Sequence, residues 1–137
     1  MYIRALIPCD AILENGDTTF DLRRAGITHL MAPSYPARSV FAILLRLELD
    51  DAEADEVHWV RVTIDHLGRE LFAAPAAPMA IKNRIAGQPS YMNFFMRFRL
   101  VLNAPGELTV RVQVDNEVVS PTMRLYSMLL SDAPSQG

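Results

Sequence analysis

The residues with most capacity for nucleophilic or metal chemistry in this chain are few: Cys9, His29, His58 and His66. Nucleophilic catalysis needs a nucleophile, a base and an orienting group within mutual reach, and Cys9 with a histidine is the one candidate pair. Cys9 ends an apolar segment and precedes Asp10, whose charge raises a thiol pKa rather than lowering it. It therefore reads as a buried structural cysteine. The histidines show no short spacing to one another or to Cys9, which removes the usual signature of structural zinc. The stretch LDDAEADE places Asp50, Asp51, Glu53, Asp55 and Glu56 together. Loop oxygens of this kind can hold calcium, but residues 50–56 lack the glycine and terminal glutamate of an EF-hand, so a solvated connector between two strands is expected. No G-x-S-x-G, phosphate-binding glycine loop or dinucleotide fingerprint occurs. No catalytic residue, metal or cofactor is expected from these motifs, although carboxylates brought together from distant strands leave no trace in spacing.

A different chemistry, recognition, is suggested by SYMNFFMRFRLVL, residues 90–102. Alternate residues of a strand point to opposite faces. One row is Met92, Phe94, Met96, Phe98, Leu100 and Leu102, a core row. The other is Tyr91, Asn93, Phe95, Arg97, Arg99 and Val101. If Arg97 and Arg99 lie near Arg61 and Arg111, and Trp59, Tyr91 and Phe95 share that side, these seven residues form an arginine-aromatic face. Rigid guanidinium forks that stack on rings suit a carboxylate, a phosphate or a protein partner. The plainer reading makes them solvent-facing strand residues whose heads meet cross-strand carboxylates.

Positioning these residues falls to strands. Period-two alternation runs through FAILLRLEL, EVHWVRVTID, RELFAA, ELTVRVQV and VVSPTMRLYSML, and shorter extended pieces occupy YIRALIPC, AILENG, TTFDLRRAG and ITHLMAP. NGD, DHLG and DNE read as turns and APSYPAR as a loop. Pro121 implies an edge position or a bulge. Phe41 opens a strand that is apolar on both faces, so cover by a helix or a second subunit is expected. One short helix is expected near 79–86, with Pro78 at its start and Gly87 at its end. The expected fold is an all-β, antiparallel β-sandwich, Ig-like or jelly-roll-like, of about eight strands. It should occupy 1–130 as a single domain, with 131–137 a flexible tail.

Composition narrows the classes. The 137 residues are 50% hydrophobic and 21% charged, with a net charge of −3, as expected of a soluble globular domain. No basic surplus exists to displace counterions from nucleic acid. The longest apolar run, VFAILL, is too short to span a bilayer, and the N-terminus lacks the pattern of a signal peptide. A cytoplasmic protein with neither nucleic-acid nor membrane partners is expected.

The segment from CDAILENGDTTF to RLEL, followed by VHWVRVTIDHLGREL, resembles a family of short uncharacterised bacterial proteins, a domain of unknown function. The matching positions are Cys9, Asp10, Asn15, Gly16, Tyr35, Pro36, Asp65 and Gly68, and PGELTVRVQVDNEVV resembles that family's closing hairpin. The likeness spans roughly residues 5 to 125 and implies a β-sandwich but no activity. Three function classes follow. The leading one is a non-catalytic interaction or assembly module acting on a protein partner or on itself as a homodimer. The others are a small-ligand-binding sandwich and an enzyme whose site is assembled from sequence-distant residues.

Overall fold

A computed structural model describes residues 1–17, 19–81 and 84–134. The chain is all-β. Its described residues form eleven strands: β1 (Tyr2–Cys9), β2 (Ala11–Glu14), β3 (Phe20–Arg23), β4 (His29–Ala32), β5 (Ala37–Leu49), β6 (His58–His66), β7 (Arg69–Ala73), β8 (Ala77–Met79), β9 (Ser90–Leu102), β10 (Gly106–Val114) and β11 (Glu117–Leu129). A single helical turn, α1 (Asp51–Ala54), and a 3-10 turn at Leu130–Asp132 complete it. Strand order is β1-β5-β9 in one sheet and β4-β11-β10-β6-β7 in a larger one, where β8 also pairs β6; β2 and β3 form a separate hairpin.

The inner rows read from the sequence meet in one core. Phe41, Ile43, Leu45 and Leu47 of β5 and Phe98 and Leu100 of β9 pack with Val62 and Ile64 of β6, Val110 and Val112 of β10 and Leu125 of β11. The two larger sheets therefore turn their inner rows toward each other and their outer rows away. Two turns set the register of the larger sheet. Leu67 and Gly68, and Asp115 and Asn116, all take positive φ, the requirement of the two-residue hairpin turn whose twist matches the strands it joins.

Several expectations are corrected. The strand count is eleven rather than eight, because the N-terminal third forms genuine short strands and β8 adds another. Pairing is antiparallel except between β4 and β11, which run parallel. The helix expected at 79–86 is absent among the described residues; Lys82 and Asn83 lie outside them. A ten-residue helix is marginal without support. Ala77–Met79 instead pairs with His58–Val60, and Met79 and Ile81 pack on the core. Pro78 is tolerated there, at a sheet edge. Residues 50–56 are more than a solvated connector. Asp50 caps α1 and Glu53 returns the hydrogen bond to the Asp50 backbone, a reciprocal capping box. Of the expected strand start at Thr18–Phe20, Thr18 lies outside the described residues, as do 135–137 of the expected tail.

Pro121 sits where the sequence places it. Between Val110↔Met123 and Val112↔Val119 the register shifts, so Ser120, Pro121 and Thr122 bulge. The double-sided start of β5 has cover from within the chain, though not from the expected helix. The β2–β3 hairpin covers it: Ile12, Phe20 and Leu22 pack over Ala42 and Leu44, beside Cys9. No helix among the described residues is long and apolar enough to cross a membrane.

Candidate interaction surface

The antiparallel register of β5 and β9 decides what the outer row of β9 meets. Tyr91 lies opposite Glu48, Asn93 opposite Arg46, Phe95 opposite Leu44, Arg97 opposite Ala42, Arg99 opposite Val40 and Val101 opposite Arg38. The first two pairs are internally satisfied. Arg46 donates to Asn93 at 2.7 Å and lies over the Tyr91 ring, while the Tyr91 hydroxyl donates to Glu48 at 3.4 Å. Phe95 meets the hairpin, with its ring 5.9 Å from that of Phe20, yet stays 46% exposed.

Beyond Phe95 the surface changes character. Arg38, Arg97 and Arg99 are exposed, and no carboxylate among the described residues lies within ion-pair distance of them. Six other arginines are paired with carboxylates: Arg4 with Glu48, Arg24 with Asp10, Arg61 with Glu70, Arg84 with Asp51 and Asp55, Arg111 with Asp65 and Arg124 with Glu107, whereas Arg23 and Arg69 are exposed without such a partner among the described residues. Val40 and Val101 are interleaved with the three unpaired arginines, at 61% and 51% exposure.

The seven-residue face expected from sequence is thus divided between two sheets. Tyr91, Phe95, Arg97 and Arg99 lie on β9. Trp59, Arg61 and Arg111 lie on β6 and β10, which pair with each other, and face outward on the other side of the core. Arg61 and Arg111 follow the plainer reading, with carboxylate partners. The Trp59 ring is half exposed, and its backbone N–H donates to Asp115 at 2.9 Å. Sequence reasoning missed Arg38 and Val40. Their parity, four and two residues before Ala42 on the outer row, was readable, but the β5–β9 pairing that sets them beside Val101 and Arg99 was not.

Two clusters with chemical capacity have structural roles. The Cys9 thiol is fully buried and directs its Sγ at the Ala42 carbonyl, 3.7 Å away. Burial, then the Asp10 charge, pushes its pKa up despite a hydrogen bond at Ala11 that acts the other way. A protonated, covered thiol is a poor nucleophile.

His58 is buried, with Nδ1 2.7 Å from Asp115 Oδ2 and Nε2 2.5 Å from the Glu53 carbonyl. Both partners accept, so the imidazolium donates from both nitrogens and none is left for a substrate. The Glu53 carboxylate in turn receives the Met1 amino group at 2.7 Å. The cluster joins β6, α1 and the β10–β11 turn. Burial alone lowers the His58 pKa, but the hydrogen bonds to Asp115 and Glu53 and the charges of Asp115 and Glu56 outweigh it, and the net shift is upward from 6.5. The His58 hydrogen bond, then the Trp59 N–H, holds Asp115 below 3.8.

The sign of the pH dependence follows. The His58 contribution is complete below 6.5 and fades as pH rises through its raised folded value. The Asp115 contribution holds above 3.8 and is lost as pH falls through its lowered one. Denaturant unfolding of wild type beside His58→Gln should therefore show the wild-type advantage shrinking from pH 6 to pH 9. A difference constant over that range would remove the charged pair from the account.

A family described as a family of unknown function (DUF6941) matches residues 4–123. No curated protein matches the chain. Among solved structures, the Pseudomonas fluorescens alkylpurine DNA glycosylase AlkC, bound to DNA containing an abasic site analog, aligns with a TM-score of 0.39 and 14% identity. The alignment covers 74% of this chain and 27% of that one, so this chain spans about a quarter of the glycosylase. A likeness at that TM-score carries no argument about fold or activity.

Proposed function

The chain belongs to this family of unknown function (DUF6941), and from that premise we propose that it is a β-sandwich serving as a non-catalytic protein-interaction module. The contact surface in this reading is the outer face of β5 and β9, centred on Phe95, Arg97, Arg99 and Val101 and extended by Arg38 and Val40. The observation that carries it is the set of three arginines without carboxylate partners among the described residues, interleaved with exposed valines. Six arginines elsewhere have carboxylate partners, and Arg23 and Arg69, exposed without one, stand apart on β3 and β7. Exposed apolar side chains alternating with guanidinium groups match the composition of protein interfaces, where aromatic residues and arginine are enriched.

Against the enzyme reading, the Cys9 thiol is covered and both His58 nitrogens are engaged. The small-ligand reading has open clefts of about 300–400 Å³, toward the lower end of ligand-site volumes; in the one between Tyr2, Glu48–Asp51 and Gly87–Pro89, Asp50 and Asp51 are committed to the cap and to Arg84.

A photoreactive phenylalanine analogue placed at Val101, and separately at Val118 on the larger sheet, tests the proposal in the cells that make the protein. Both positions are 51% exposed. The expected result is a discrete protein adduct from position 101 that is missing from position 118. An adduct of twice the chain mass would identify self-assembly. Equal labelling from both positions, or no protein adduct from 101, would overturn the reading.

A further inference from the structure

β9 pairs with β5 along all thirteen of its residues, and its other edge meets no strand among the described residues. The opposite edge of the same sheet is not comparable, because β1 approaches β11 of the larger sheet and the two sheets close there. The edges left by β7 and β8 are five and three residues long. Among the described residues of the connection from β8 to β9, Arg84 is tied to Asp51 and Asp55, beside α1 at the Ser90 end of the sheet. A long, flat, unpaired edge is a template for another chain.

Both rows of β9 describe what would fit. On the inner row, Phe94 and Met96 are only partly buried, although Met92, Phe98 and Leu100 on the same row are buried. The core is open at this edge, and inward-facing apolar residues of an added strand would close it. On the outer row, a neighbouring strand sets its side chains about 4.5–5.5 Å away, beside Arg97 and Arg99, where carboxylates are missing. A second copy pairing through this same stretch would oppose arginine to arginine, which is destabilising. The charges that discourage self-pairing favour an acidic strand.

We infer that the β9 edge from Phe94 to Leu102 docks an extended segment of a partner protein in which apolar residues alternate with acidic ones. This rests on the interaction reading and names its geometry: main-chain hydrogen bonds supply strand addition, and alternate side chains supply selectivity.

The probe is a capped ten-residue peptide alternating valine and glutamate. It is compared with its lysine counterpart and with a version carrying proline at a central valine. Binding is measured by calorimetry at low salt, and amide hydrogen exchange is followed along β9. The valine-glutamate peptide should bind and slow exchange at alternate amides between Phe94 and Leu102. The proline version should lose both effects. Reversing the charge of both arginines (Arg97→Glu with Arg99→Glu) should weaken binding about tenfold or more and shift preference to the lysine peptide. Both side chains are exposed, so the variant should keep the wild-type melting curve. No binding, binding that leaves β9 amides unprotected, or self-association that protects them without peptide would each overturn strand addition. Crosslinking from position 101 that persists beside any of these outcomes would leave the interaction reading standing and remove only the strand geometry.

Discussion

Replacing Phe41 with alanine should cost about 3–5 kcal/mol of unfolding free energy, the usual range for emptying a fully buried aromatic site. Phe41 has no exposed surface. Its ring lies 5.3 Å from Phe98 on the neighbouring strand, and Phe98 in turn meets Phe72 of β7 edge-on at 5.2 Å. This chain of rings connects the smaller sheet to the larger one. Against a typical total of about 5–15 kcal/mol, the loss would remove a large share of the domain's stability. Denaturant unfolding followed by Trp59 fluorescence and by circular dichroism should show both signals shifting together. Separate transitions would mean that the two sheets unfold independently.

The second large effect is local. Ile12→Asp should detach the β2–β3 hairpin while the two larger sheets stay folded, and it should speed chemical labelling of Cys9 by about a hundredfold, or about 2.8 kcal/mol at about 1.4 kcal/mol per tenfold, through local opening. Ile12 is buried and packs with Cys9, Ala42 and Leu44 in a cluster distinct from the main core. An aspartate there loses the burial of an isoleucine, about 2–3 kcal/mol, and adds a desolvated carboxylate without a partner. Cys9 is the only cysteine in the chain, so the labelling rate under native conditions reports this one site. Unchanged labelling with a large loss of global stability would show that the hairpin cannot open alone.

Local pattern was legible and pairing was not. The inner rows of β5, β6, β9 and β10 follow from alternation, and DHLG and DNE follow from turn chemistry, because both depend on neighbouring residues. The bulge at Pro121 was readable for the same reason, since a missing N–H cannot be hidden in a ladder. The capping box at Asp50 and Glu53 was within reach of the same rules, but the density of acidic residues favoured a loop reading. The candidate surface failed on a non-local fact: β9 pairs with β5, so Arg97 and Arg99 never meet Arg61 or Arg111. Both rows looked alike as sequence, and only the sheet order separates them. The contact of His58 with Asp115, 57 positions apart, was closed to sequence reasoning for the same cause. The helix expected at 79–86 yielded to tertiary demand, because β6 needed a partner for its first residues and Met79 a place in the core.

The parallel pair of β4 and β11 bears on how the protein is made. His29 takes its place beside Tyr126, so a strand from the first quarter of the chain waits for one from the last. Until β11 emerges from the ribosome, β4 has no ladder, although β5 can already pair with β1 and β9. Contacts so distant in sequence are slow to form, and unpaired apolar strands invite association in the meantime. Completion of this fold therefore waits for β11 to be made and released. A nascent chain halted before residue 117 should remain sensitive to protease and dependent on chaperones, however long it is given.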